Sequence, residues 1–138
     1  MLNKLKVIDL KKAGIASAAL TLLTILVHLL VIFQILPHTW INGGRVASFD
    51  IARQTSINGI WFLLFDILVS LIAGGIIPLK LKKGFAVVLA VYLWIQVPYT
   101  LFGFIIQLLG TVFEKLFMSV IVFVLFVSKL RLALEKRW

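Results

Sequence analysis

Asp66 is the only charged residue between Ile57 and Leu79, and His28 is the only ionisable one between Gly14 and Leu36. Both stretches are otherwise apolar and long enough to lie in lipid, where a polar side chain is expensive and marks function by default. A carboxylate and an imidazole on facing helices could hydrogen-bond, pass a proton, act as general acid and base, or hold the polar head of a ligand. Counted from Pro37 and from Ile57, each lies nine residues in. At the helical rise this is about 13 Å below the outer surface. Gln96, beside Pro98 in a third apolar stretch, adds an amide near 18 Å by the same rise. It could serve carbonyls freed by the proline or face a ligand.

The spacing of the other polar residues says which faces turn inward. Ser17, Thr21, Thr24 and His28 recur at steps of four, three and four, which places them on one helical face. Gly59, Asp66, Ser70 and Gly74 share a second face, and Gln96, Thr100, Gly103 and Gln107 a third. Three such stripes are expected to face one another inside a bundle. Ser17, Thr21 and Thr24 are expected to bond back to their own helix. Outside the membrane, Arg45 follows a Gly-Gly turn and Glu114 opens the last apolar stretch. An Arg45–Glu114 or Arg45–Asp50 ion pair would fasten the loop, and Arg45 alone could meet an anionic headgroup or carboxylate. Asp66, His28, Gln96, Arg45 and Glu114 are thus the ligand-binding or proton-coupling candidates. No catalytic set, cofactor motif or metal set is legible: two histidines ten residues apart, His28 and His38, without clustered acids make a poor metal site. The absence of cysteine excludes disulfides, thiolate metal sites and thiol redox chemistry.

The elements that must position these residues follow from composition. The chain has 138 residues, 62% of them apolar and 14% charged. A water-soluble domain of this size could not hide so much apolar surface. A helix needs about 20 apolar residues to cross the hydrocarbon core. Windows of that length lie at about 14–36, 57–79, 84–109 and 112–130, with an outer loop at 37–56. The fold class read from them is an all-α membrane protein, a single four-helix transmembrane domain over 1–138. The first window exceeds the h-region of a signal peptide and lacks a cleavage site, so it reads as a retained span.

Charge sets the orientation. Eleven of the fourteen Lys and Arg fall on one side, in clusters at the N-terminus, at Lys80, Lys82 and Lys83, and at the C-terminus. Arg45, Arg53 and Lys115 fall on the other. Positive residues collect in the cytoplasm, which gives N-in and C-in. The net charge of +9 belongs to topology and not to nucleic acid. Lys129 is expected to snorkel to the cytoplasmic surface. Asn42-Gly43-Gly44 reads as a turn, and Ser48 or Asp50 as the cap of the following helix. The Phe-rich fourth helix, with few polar residues, is expected to face lipid.

Three segments carry a resemblance: Ile35-Leu36-Pro37 closing the span that holds His28, Trp40-Ile41-Asn42-Gly43-Gly44-Arg45, and Phe113-Glu114-Lys115-Leu116-Phe117. Together they resemble a group of small four-span bacterial membrane proteins with a first-span histidine, an IP…WGGR loop and an FEK.F segment. Here the loop is spelled W-I-N-G-G-R. The resemblance implies the four-span fold and a bacterial inner or plasma membrane, and it gives weight to Arg45 and Glu114; it brings no activity. Small multidrug exporters are also short and four-span, but they rely on a first-span glutamate that this sequence lacks. Sterol-isomerase-like and sigma-2-like bundles, which hold apolar ligands above buried acids, are similar only at the level of fold.

Three functions fit. The first is binding or transport of a small amphiphilic or cationic ligand in a polar-lined pocket open to the outside, with Asp66 and His28 at its bottom. The second is a non-catalytic accessory or structural subunit of a membrane complex. The third is an acid–base enzyme acting on a lipid-soluble substrate. The bilayer is the expected partner, joined by a bound lipid or amphiphile, a second copy or another membrane protein; no nucleic acid and no cofactor are expected.

Overall fold

The computed structural model describes residues 5–136, and all elements below are among them. Helix α1 spans Leu10–Ile32, α2 Phe49–Ala73, α3 Lys83–Leu108 and α4 Ser119–Ala133. A single π turn, Glu114–Met118, leads into α4. Lys4, Arg137 and Trp138 lie outside the described residues. All four helices are long and apolar enough to span a membrane, α4 together with its π turn. The chain is a multi-pass membrane protein built as a four-helix bundle, as its composition predicts.

The helix ends follow local chemistry. Asp9 caps α1 by accepting the Lys12 N–H at 2.9 Å. Ser48 caps α2 by accepting the Ile51 N–H, with Asp50 in the first turn. At the end of α1, Gln34 takes a left-handed conformation and the Ile35 N–H returns to the Leu30 carbonyl. At the end of α2, Gly75 is left-handed and Ile76 returns to Leu71 in the same way. These closures shift two helices from their expected windows. Helix α1 stops five residues before Pro37, and α2 starts eight residues before Ile57.

Contacts run in the order α2–α1–α4–α3, while α2 and α3 approach each other only sparsely. The expectation that the fourth helix faces lipid is therefore wrong. Half of its membrane span is buried, against 28–33% for the other three. The reason is its stripe Met118, Ile121, Leu125, Lys129 and Leu132, which recurs at three and four and packs between α1 and α3. Its phenylalanines lie beside that stripe and do not displace it.

Two apolar layers hold the bundle. Near the end that the charge pattern reads as cytoplasmic, Ala13, Val69, Ala73, Leu89, Leu93, Leu132 and Ala133 bring all four helices together. Near the outer end, Val27, Val31, Met118, Ile121 and Leu125 pack around Ile41 of the loop. At the cytoplasmic layer a Cβ on Gly14 would stand 2.8 Å from the Gly74 Cα, so these two glycines let α1 and α2 meet backbone to backbone. Polar residues are concentrated between the two layers.

Candidate functional site

In the layer between the apolar clusters Asp66 is 4% exposed and Lys129 1%. The Lys129 Nζ donates to both Asp66 carboxylate oxygens, at 2.6 and 2.7 Å, and to the Ser70 Oγ at 2.7 Å. The ammonium has three donors, and all three are used. Asp66 also accepts from the Tyr92 hydroxyl at 3.0 Å and the Thr21 hydroxyl at 3.3 Å. Ser70 lies 3.1 Å from Ser17 across the α1–α2 contact. Residues from all four helices thus close one network around a neutralised ion pair. Lys129 does not snorkel: the face it shares with Leu125 and Leu132 turns inward. By sequence, ten of the fourteen positive residues still fall on the side that positive charge reads as cytoplasmic.

Helix back-bonding holds for Thr24, whose hydroxyl donates to the Leu20 carbonyl at 3.0 Å. It does not hold for Ser17 and Thr21, which reach α2.

His28 and Asp66 are not partners. The His28 Nδ1 lies 3.1 Å from the Ser56 Oγ. Helices α1 and α2 run antiparallel, with Thr21 opposite Asp66 and His28 opposite Ser56, so the two residues are separated by about two turns, or roughly 10 Å. Matched depths for the two residues require α2 to start at Ile57. It starts at Phe49, which puts Asp66 seventeen residues into the helix. The acid–base pair that an enzymatic reading needs therefore does not form.

At the outer end, Glu114 is 2% exposed. Its carboxylate accepts the Gly43 N–H at 3.0 and 3.1 Å and the Thr111 N–H at 2.8 Å. The Thr111 hydroxyl donates to the Trp40 carbonyl at 2.6 Å, and the Trp40 and Phe113 rings lie 5.5 Å apart. Gly43 sits at φ +70, where a side chain is strained. The loop and the Phe113–Phe117 segment, which share the sequence resemblance, are thus joined through Glu114. Arg45 is exposed and pairs with neither Glu114 nor Asp50; among the described residues the ion pairs are Asp66–Lys129 and Arg131–Glu135.

A cavity of about 390 Å³ rises from the ion pair toward the outer side, walled by all four helices. On α3 its lining reaches from Gln96 to Gln107, eleven residues or roughly 16 Å of rise. Asp66, Lys129 and Thr21 lie at the deep end, and His28 and Gly59 nearer the surface. No residue of the outer loop lines it. Gln96 is 4% exposed and its amide makes no hydrogen bond among the described residues, so it does not serve the backbone around Pro98. Thr100 donates to the Gln96 carbonyl instead. The Gln107 Oε1 is fully buried and also lacks a partner. Two amides on one helical face thus enter the cavity wall uncommitted.

Sequence reasoning missed Lys129 and Tyr92. Both carry a helical signal: Lys129 lies on the face of Ile121, Leu125 and Leu132, and Tyr92 lies four residues before Gln96 on the α3 polar stripe. Among the described residues no group of His, Cys, Asp and Glu could hold a metal ion. No protein-family model, curated protein or solved structure matches the chain.

Proposed function

We propose that this protein binds a small amphiphile inside the membrane, in the cavity between the Asp66–Lys129 pair and the outer ends of α2 and α3. The observation that carries this reading is the Gln107 Oε1, buried without a hydrogen-bond partner on the same cavity wall that the Gln96 amide faces. A buried amide left unpaired costs about 1–3 kcal/mol, and native proteins offset that with a ligand or ordered water. The volume of about 390 Å³ falls within the range of ligand pockets. The cytoplasmic apolar layer closes the deep end, which favours binding over passage across the membrane. The ion pair is a floor and not a free carboxylate, so it offers a cationic ligand no unpaired charge. The resemblance to the bacterial four-span group supports a bacterial plasma membrane as the location.

The test is binding of a long-chain alcohol to the full chain in nanodiscs. Gln107→Leu is expected to weaken binding roughly tenfold, as loss of one well-placed hydrogen bond does, while leaving unfolding unchanged or slightly harder. Equal affinity in the variant would sink the reading.

A further inference from the structure

The cavity's lining residues differ in exposure according to the helix that supplies them. Those from α1 and α4, namely Thr21, Thr24, His28, Val122, Leu125 and Lys129, are buried or half-buried. The exposed ones are Phe62 on α2 and Tyr99, Phe102 and Ile106 on α3. The mouth therefore lies along the α2–α3 seam, where the two helix backbones stay apart and only side chains such as Tyr92 and Asp66 bridge them. That seam faces lipid. On the aqueous side Ile41 is packed into the outer apolar layer, and Glu114 holds the adjoining turn in place. Phe62 and Tyr99 meet edge to face across the mouth, with ring centroids 6.1 Å apart. Pro98 precedes Tyr99 inside α3 and cannot donate to the Trp94 carbonyl, so the helix is least constrained beside that ring.

The charges in the cavity narrow what can enter. Asp66 and Lys129 neutralise each other, and every donor of the ammonium is taken. A cationic or anionic head would have to lose its hydration with no unpaired counter-charge to meet it, which is prohibitive in a low-dielectric site. The uncommitted groups are the Gln96 and Gln107 amides, each of which offers donors and an acceptor, and the His28 Nε2, since only the Nδ1 of that ring is engaged, by Ser56. At about 30 Å³ per water-sized group, the cavity holds a chain of about a dozen methylene-sized units.

Resting on the binding function proposed above, we infer that the ligand is an uncharged single-chain amphiphile with a hydroxyl or amide head, and that it enters sideways from the bilayer between Phe62 and Tyr99.

Photolabelling of the full chain in nanodiscs tests both parts. Three diazirine probes with the same chain of about twelve carbons carry a hydroxyl, a trimethylammonium or a carboxylate head. The hydroxyl probe is expected to label the Gln96–Gln107 segment at least about tenfold more than either charged probe. Equal or stronger labelling by a charged probe overturns the uncharged head and leaves the binding function standing. No labelling of that segment by any probe overturns both. Because the chain has no cysteine, the F62C/Y99C variant can be bridged by a short reducible thiol crosslinker. Bridging before the probe is added is expected to abolish labelling, and reduction to restore it. Labelling that persists in the bridged protein overturns lateral entry, as does crosslinking of either single variant into a dimer, which would mean that a second copy covers the seam.

Discussion

Removing one member of the Asp66–Lys129 pair should harm the protein far more than removing both. The shortest N–O distance is 2.6 Å, which corresponds to about 6 kcal/mol of attraction at an effective dielectric of 20. Desolvation of each ion costs several kcal/mol, so the net value of the pair is small. A single deletion leaves one charge buried alone, at about 3–5 kcal/mol. The two singles should differ. In Asp66→Asn the freed Lys129 lies four residues before Ala133, about 6 Å of rise, and its stem can carry the ammonium toward the cytoplasmic surface. In Lys129→Met the short Asp66 side chain is seven residues from Ala73, about 10 Å, and has no such route. Lys129→Met is therefore expected at the upper end of that range and Asp66→Asn at the lower. The double variant should fall within about 2 kcal/mol of the parent. Equilibrium unfolding in mixed micelles by added dodecyl sulfate, followed by helical circular dichroism, measures all four proteins. These figures imply a coupling energy of about 6 kcal/mol between the two positions. Additive singles, with the double variant worst of all, would refute the reasoning.

Glu114→Ala should release the outer turn, costing about 1.5–3 kcal/mol as charge-assisted hydrogen bonds are lost; amide exchange at Gly43 should accelerate while exchange within α1 stays the same. Gly74→Ala would place a Cβ 2.8 Å from the Gly14 Cα and 2.6 Å from the Ile76 Cδ1. Forcing the backbones apart should cost about 1–3 kcal/mol, read as a lowered midpoint of thermal unfolding. His28→Ala removes only the bond to Ser56. Its effect on the same unfolding titration should be near 0.6 kcal/mol, the usual worth of an interhelical hydrogen bond in a membrane, and the coupling between Asp66 and Lys129 should be unchanged.

The count of spans, their antiparallel order and the inward stripes of α1, α2 and α3 were legible because lipid imposes a length and a periodicity. The depth of Asp66 was not, since it depends on where α2 begins, and a start at Phe49, capped by Ser48, extends the helix eight residues beyond its apolar window into the outer loop. Lys129 was misplaced for a related reason. A lysine near a span end has a long stem and two destinations, and only the partner on α2 decides between them. Glu114 was legible as important, but its partners are backbone N–H groups, which a sequence does not advertise. Arg45 drew attention as the nearest cation and takes no part in that contact. The cavity itself arises from the α2–α3 seam, a packing outcome that no single stripe encodes.

Native mass spectrometry of the gently extracted protein shows whether the cavity holds a ligand. A population carrying one retained uncharged amphiphile of roughly a dozen heavy atoms is expected, with the adduct lost in Gln107→Leu. A parent protein that flies without an adduct and takes up none from added long-chain alcohol would contradict that expectation.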